Sequence, residues 1–198
     1  PGDLPDAEKY MAFLKAQGRG KDWVELKADE GALYDRVLEI DLGLVEPMAA
    51  CPHSPGNIAT IASLAGKKVN QVLIGSCTNS SYRDLKTAAL MLRGKKIHPD
   101  VEVGVAPGSR QVVAMLAGEG LLTDLVAAGV RILENACGFC IGNHMSPGTG
   151  AVSLRTSNRN FEGRTGTQSA QAYLVSPETA AAAALTGVFT DPRTLPSL

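Results

Sequence analysis

The sequence predicts a three-layer α/β/α domain with a mostly parallel sheet, spanning residues 1–198. Apolar, β-rich runs alternate with helical patterns along most of the chain, and such alternation is typical of parallel strands joined by helices. The chain has 198 residues, 44% of them hydrophobic and 20% charged, with a net charge of -1. This composition suits one globular domain with a sizeable core.

The N-terminal part of the chain carries the weaker signals. A helix is predicted over residues 6–17, with Asp6 as its N-cap. Short strands are predicted at residues 23–26 and 37–40, where the sequence reads WVEL and VLEI. Residues 43–57 contain three prolines and are predicted to form a crossing loop.

From Lys67 onwards the pattern becomes regular. The predicted strands are 68–74, 101–106, 130–133, 151–154 and 172–175. The predicted helices are 82–92, a segment from PGSR to residue 118, residues 120–129, and a helix that begins after Ser176 and ends at Gly187. Ser81 with Asp84 predicts a capping box on the first of these helices, and Pro177 occupies the first position of the last one. The final PRTLPSL is expected to be a loose tail.

Three polar segments each follow directly after a predicted strand. They are GSCTN, APGSR and ENACGFC. Because the carboxyl ends of parallel strands open at one edge of a sheet, where ligands of such folds bind, these segments are expected to meet. Cys77 can therefore lie beside Cys137 and Cys140 despite their separation in the sequence.

Composition argues against several classes of partner. The near-neutral charge gives no footprint for nucleic acid or for an anionic membrane, and aromatic residues make up only 5% of the chain. No apolar run approaches the ~20 residues of a bilayer span. The chain begins PGDLPD, without Met and without a signal-peptide pattern, so we expect a piece of a larger protein of the cytoplasm, or of the mitochondrial matrix in a eukaryote.

The four cysteines are too few for a disulfide scaffold and are expected to be reduced. Alone, Cys77 is most simply a small buried residue. The CxxC pair is compatible with a redox dithiol, a zinc half-site or iron–sulfur ligation. A zinc site would need a fourth ligand, such as Cys51 or His53, whereas a 4Fe–4S cluster held by three thiolates leaves one iron open. The residues alone leave these two readings close.

Three segments resemble the signature segments of the aconitase superfamily of hydro-lyases. They are GSCTNSSYRDL (75–85), CGFCIGN (137–143) and TSNRNFEGR (156–164), in matching order and spacing, and the similarity continues through residues 173–193. The resemblance implies that Cys77, Cys137 and Cys140 are the three thiolate ligands of a 4Fe–4S cluster. The open iron of that cluster would bind a citrate-like substrate and polarise its hydroxyl group.

The same resemblance assigns roles to three residues of the last segment. Arg159 and Arg164 would bind substrate carboxylates, and Asn158 would hydrogen-bond close to the cluster. Arginine suits this task on chemical grounds, because its planar fork binds a carboxylate through two parallel bonds. The alternative is that both arginines are solvated loop charges. His98 and His144 receive no catalytic role, and Cys51 and His53 are expected to be structural.

The resemblance implies that the parent protein is an aconitate hydratase, which interconverts citrate and isocitrate through cis-aconitate in the tricarboxylic acid cycle. The alternatives are the large subunit of a 3-isopropylmalate or homoaconitate isomerase, or a non-catalytic metal-binding module. The catalytic base of the family comes from segments that are not in this sequence. We therefore expect the third domain of such an enzyme, which needs the remaining domains, binds a cluster poorly and is inactive alone.

Overall fold

The computed structural model describes residues 7–195, and the chain separates into two compact units, one through Gly43 and one from Leu44. The first unit contains helix α1 (Ala7–Ala16), and the Asp6 cap predicted for it lies outside the described residues. The strands predicted at 23–26 and 37–40 are wrong. Their apolar side chains are largely exposed, and no described segment pairs with them, so the residues lack the partner that a strand requires.

The second unit is built on a seven-stranded, mostly parallel sheet with strand order β2-β1-β7-β6-β3-β4-β5. The strands are β1 (Met48–Ala50), β2 (Ile58–Thr60), β3 (Gln71–Gly75), β4 (Glu102–Ala106), β5 (Arg131–Ile132), β6 (Val152–Arg155) and β7 (Gln171–Leu174). The five strands from β7 to β5 are parallel, and β1 and β2 run antiparallel at one end.

The described helices of this unit are four that the local signals predict and one short helix, directly after β2, that they do not predict. They are α2 (Ile61–Leu64), α3 (Tyr82–Leu92), α4 (Arg110–Gly118), α5 (Leu121–Ala128) and α6 (Pro177–Thr186), with single 3₁₀ turns at Gly20–Asp22, Leu42–Leu44, Phe139–Ile141 and Pro192–Thr194. The capping box of Ser81 and Asp84 is confirmed, as is the cap of Ser176 with Pro177 at the first position. The loose tail predicted at 192–198 is wrong in its described part, because residues 192–194 form a 3₁₀ turn capped by Asp191 and Leu195 packs against the core. Residues 196–198 lie outside the described part.

The loop predicted at 43–57 is partly wrong, because it contains a strand. Met48 pairs with Thr60 and Ala50 pairs with Ile58, so β1 and β2 form a hairpin. The prolines Pro52 and Pro55 lie in the turn between the strands. Proline is excluded from the interior of a sheet but not from such a turn, so a strand of three residues can stand directly before it.

The side chains of β3 divide between two cores. Val72 and Ile74 pack with residues of α3, α5 and α6, whereas Leu73 packs on the other face with Phe139 and Met145. The sheet is therefore covered on both faces, and the predicted three-layer α/β/α class is confirmed. The second face is covered in part by the segment that carries Cys137 and Cys140.

Within residues 7–195 no single helix is both long and apolar enough to cross a bilayer. Helices α4 and α5 reach that length only when they are taken together, across a bend of 88°.

Candidate functional site

The sheet topology brings the cysteine and arginine segments to one edge. Cys77 follows β3, the pair Cys137 and Cys140 follows β5, and the segment 156–164 follows β6. These three strands are parallel members of the same sheet, and β3 lies between β4 and β6. The carboxyl ends of parallel strands form the edge at which ligands of open α/β sheets bind.

The turn at Cys77 depends on a glycine. Gly75 has a φ of +105°, and a Cβ built on it would lie 2.1 Å from the carbonyl oxygen of Ala106 on β4. Its amide donates to the hydroxyl of Thr156 at 2.8 Å. The next residue, Ser76, also has a positive φ, of 95°. The chain thus leaves β3 by an abrupt turn, pressed against both neighbouring strands, and this turn presents Cys77.

The loops that follow the four adjacent strands β6, β3, β4 and β5 are joined to one another by hydrogen bonds. The Asn79 side chain donates to the Thr156 carbonyl at 2.7 Å, which joins the loops after β3 and β6. The loops after β3 and β4 are joined by the bond from the Gly108 amide to the Ser80 carbonyl at 3.1 Å. Asn135 donates to the Pro107 carbonyl at 2.8 Å and joins the loops after β4 and β5. Together these bonds fix the relative positions of the loops that carry the cysteines.

The thiols of Cys77 and Cys137 are close enough for each to influence the pKa of the other. Both residues are exposed, whereas Cys140 is buried. The hydroxyl of Thr78, 3.6 Å from the Cys77 sulfur, is the main cause that lowers the pKa of Cys77. The pKa of Cys137 is raised, chiefly by the charge of the neighbouring Cys77 thiolate, with a smaller contribution from Cys140. The Cys137 sulfur is therefore influenced by both of the other cysteines.

Arg164 contacts the buried cysteine directly. Its Nε donates to the Cys140 carbonyl at 3.1 Å, and its Nη2 lies 3.3 Å from the Cys140 sulfur. The guanidinium also packs over the ring of Phe161, 5.4 Å from the ring centre. A guanidinium beside a sulfur stabilises a thiolate or a thiolate-bound anion there.

Arg159 and Asn158 lie at the exposed rim of the same edge. Neither side chain has a hydrogen-bond partner among residues 7–195. The structure thus brings Arg164 to the cysteines but leaves the other two residues of the predicted set facing solvent, where a ligand can reach them.

Two of the cavities in the described structure border the cysteine loop. One, of about 440 Å³, lies between the loop and strand β5 and is lined by residues that include Ile132, Cys137 and His144. The other, of about 490 Å³, is lined by Gly142, Arg164 and Thr165 among others.

Several buried hydroxyl groups beside the site have no partner in the described structure. They are Ser76 Oγ, Ser157 Oγ and Thr165 Oγ1, which neighbour Cys77, Asn158 and Arg164 in the sequence. Unpartnered buried polar atoms are uncommon in native proteins. Three thiols, an arginine on one sulfur and spare hydroxyl donors make a donor set that fits a thiolate-ligated, anionic iron–sulfur cluster.

A closed zinc site receives no support from this geometry. No three Cys, His, Asp or Glu side chains within the described range are arranged to hold a single metal ion. Cys51 instead packs against the core beside β1, and His53 is exposed in the hairpin turn. The ligands of a 4Fe–4S cluster, by contrast, bind different iron atoms and do not converge on one point.

Two residues that lie beside the cysteine loop received no role from the sequence. Arg155 is buried beneath the cysteine loop, and the ring of His144 lies beside Gly138. A signal for Arg155 was present, because Ser153 and Arg155 interrupt an otherwise apolar strand that is buried on both faces. For His144 the sequence offers no such signal, since its position depends on the folded shape of the loop.

The sequence profile of the "Aconitase family (aconitate hydratase)" matches residues 60–187. Among curated proteins, the chain is 43% identical to the "3-isopropylmalate dehydratase large subunit" of Elusimicrobium minutum over 187 residues, which are 94% of this chain and 45% of that protein. It is 42% identical to "large subunit 1" of the same enzyme in Thermotoga maritima over 195 residues, 97% of this chain and 47% of that protein. A similar relative is "large subunit 2" in Archaeoglobus fulgidus, at 41% identity over 97% of this chain and 46% of the relative. The chain thus spans about half the length of these relatives.

Proposed function

The chain belongs to the aconitase family, and from this premise we propose that it is the cofactor-binding part of a 3-isopropylmalate dehydratase large subunit. The observation that carries the proposal is the grouping of Cys77, Cys137 and Cys140 with Arg164 at one sheet edge. The choice of substrate is supported by the relatives, which are named as 3-isopropylmalate dehydratase large subunits. They favour this reading over aconitate hydratase and its place in the tricarboxylic acid cycle.

In this proposal Cys77, Cys137 and Cys140 hold a 4Fe–4S cluster. When bound, such a cluster supplies an open iron that acts as a Lewis acid towards a substrate hydroxyl group. The protein's part is to keep the thiolates in place. The loops that carry them are held by the bonds between neighbouring strand ends, and Cys140 is held further by Arg164.

The arginines would bind the carboxylates of the substrate. Isopropylmalate is a dicarboxylate, and a planar, permanently charged donor suits each of its acidic groups. Arg159 has an exposed side chain with no hydrogen-bond partner in the described part of the chain, and it can rotate towards such a group. Arg164 lies between the rim and Cys140 and would hold a carboxylate next to the cofactor. Asn158 would supply a hydrogen bond at the same rim.

The proposal requires partners. The relatives are named as large subunits, so the complete protein would assemble with a smaller one. The proton acceptor and the groups that orient water would come from that subunit or from the remainder of the large subunit. We place this assembly in the cytoplasm, or in the mitochondrial matrix of a eukaryote.

The cofactor is tested by the visible absorption of the full-length protein after anaerobic reconstitution with iron and sulfide. We expect a broad absorption band at about 400 nm, as is usual for such clusters, together with about four iron atoms per chain. Cys77→Ser should remove most of the band. Cys51→Ser is the matched control and should retain it. A colourless protein that binds one zinc ion would overturn the proposal.

The substrate is tested by the activity of the full-length protein with its small subunit. We expect hydration and dehydration of isopropylmalate at a kcat/KM at least tenfold above that for citrate. A higher kcat/KM for citrate than for isopropylmalate would instead support an aconitate hydratase.

A further inference from the structure

Arg155, at the end of β6, is a buried arginine. Its side chain belongs to a residue only 1% exposed, and charged residues are rarely buried to this degree unless they are paired. Its hydrogen bonds run to neutral oxygens only. They reach Phe139 O at 2.6 Å, Ser153 Oγ at 3.0 Å, Gln71 Oε1 at 3.1 Å and Met145 O at 3.4 Å. No carboxylate among residues 7–195 hydrogen-bonds to it.

The guanidinium lies beneath the cysteine loop. Leu154 faces the core formed with the helices, so the neighbouring Arg155 faces the opposite side of the sheet, where Phe139 and Cys140 pack. Phe139 directly precedes Cys140, and Met145 lies five residues after it. One side chain thus joins the carbonyls at both ends of the segment 139–145.

No carboxylate of the described residues neutralises the positive charge of Arg155 directly. Burial lowers the pKa of Arg155 to about 10, so the group remains charged at neutral pH. The carboxylate that its network reaches is Glu102, which accepts from Gln71 at 2.9 Å and is itself paired with Arg131 at 3.1 Å. Arg164 adds a second positive charge at the sulfur of Cys140.

We propose that Arg155 is a positioning residue for the iron–sulfur cofactor: it fixes the loop of Cys137 and Cys140 and supplies a buried positive charge that compensates the thiolate-bound cluster. This inference rests on the function proposed above. A cluster gains negative charge when it is reduced, so a nearby positive charge raises its reduction potential. Four neutral oxygen atoms accept hydrogen bonds from the Arg155 guanidinium, and these bonds hold its positive charge beneath the cysteine loop.

The test separates the charge from the hydrogen bonds. Arg155→Met removes both, Arg155→Gln keeps a donor without the charge, and Arg155→Lys keeps the charge but cannot span both carbonyls. The matched control is Arg93→Met, which removes a surface arginine that is paired with Asp124. Thermal unfolding of the cofactor-free proteins is recorded first. Of Arg155→Met and Arg155→Gln, the variant that still unfolds cooperatively is used to measure the effect of losing the charge.

Two measurements are made in the full-length protein. The reduction potential of the cluster is followed by electron paramagnetic resonance during a redox titration, and the rate of iron loss to a chelator is measured. In the cofactor-free protein, hydrogen exchange is measured at the amides of Gly142 and Asn143, which bond to Phe139 O and Gly138 O within the loop.

We expect the uncharged variant to show a more negative potential, iron loss at least fivefold faster, and faster exchange at both amides. Arg155→Lys should keep the wild-type potential while its loop amides exchange faster, and Arg93→Met should match the wild type. An uncharged variant with an unchanged reduction potential and an unchanged rate of iron loss would overturn this inference but not the proposed function. So would a lysine variant whose potential shifts as far as that of the uncharged one. If the wild-type protein forms no cluster, the proposed function fails as well.

Discussion

Gly75 is the residue on which the geometry of the Cys77 turn depends. Its φ of +105° is unfavourable for any other residue, and a Cβ there would lie 2.1 Å from the Ala106 carbonyl oxygen. We expect Gly75→Ala to lower the free energy of unfolding by about 2–4 kcal/mol, measured by urea denaturation.

Gly66 offers a matched control for this substitution. Its φ is +81°, but no atom lies within 4 Å of the Cβ position. Gly66→Ala therefore reports the backbone strain alone, expected to be about 1–2 kcal/mol. An equal effect of the two substitutions would show that contact with β4 does not constrain the turn.

The two exposed cysteines should differ in reactivity. The pKa of Cys77 is lowered and that of Cys137 is raised, so between these values Cys77 holds the larger share of reactive thiolate. In the cofactor-free chain near neutral pH, we expect iodoacetamide to modify Cys77 faster than Cys137, as measured by peptide mass spectrometry. The rate at Cys77 should also rise at lower pH than the rate at Cys137.

The cause of this difference can be checked independently. Because the charge of the Cys77 thiolate is the main reason for the raised pKa of Cys137, Cys77→Ser should speed the modification of Cys137 at a given pH. A slower or unchanged rate at Cys137 would contradict the interaction between the two thiols.

At the scale of the elements, Asn160 joins the antiparallel end of the sheet to the parallel part. Strands β1 and β7 share a single residue pair, Ala50 with Leu174. The amide nitrogen of Asn160 reinforces this contact, since it lies within 3.2 Å of the carbonyls of Ala50, Cys51 and Ala172. We expect Asn160→Ala to cost about 2 kcal/mol of stability by removing the buried hydrogen bonds that this side chain donates to the carbonyls.

Asn158→Ala is the control for this prediction. Asn158 is two residues away and exposed, so in the cofactor-free chain its replacement should change stability by less than about 0.5 kcal/mol. The free energies of unfolding of both variants are measured by urea denaturation. If Asn160→Ala lowers this free energy no more than Asn158→Ala does, Asn160 does not join the two parts of the sheet.

The elements that could be predicted from sequence are those with local signals. The cap residues Ser81 and Ser176 mark their helices because the bonds they make lie within one turn. Strands β1 and β2 were missed because three residues give no readable alternation, and the segment at 37–40 was misjudged because pairing is not encoded locally. An apolar segment becomes a strand only where another strand of the fold pairs with it.

At the scale of the whole molecule, the site was accessible to sequence reasoning only in part. Cys77, Cys137 and Cys140 were brought together by the expectation that parallel strands end at one edge. The contact of Arg164 with the Cys140 sulfur and the position of Arg155 beneath the loop could not be predicted. Both depend on how loops from different strands pack, which no spacing in the sequence records.

The 198-residue chain should lack activity on its own. It spans about half the length of the relatives, and in the proposed function the proton acceptor comes from the rest of the large subunit or from the small subunit. After anaerobic reconstitution, we expect the isolated chain to show no measurable hydration of the unsaturated acid, and the assembled two-subunit enzyme to restore it. Turnover by the isolated chain would show that it carries its own base.

The position of β6 between β3 and β7 also affects the order in which the site forms during protein synthesis. Strand β3 ends at Gly75, yet its neighbour β6 begins only at Val152. A growing polypeptide that had emerged from the ribosome as far as Asn143 would hold every cysteine of this sequence and none of Arg155, Arg159 and Arg164. Because such distant pairings form late, an iron donor that meets the thiols during synthesis meets them before their cationic surroundings exist. In the function proposed above, a cofactor inserted after the last strands have emerged would meet the complete set of cationic side chains.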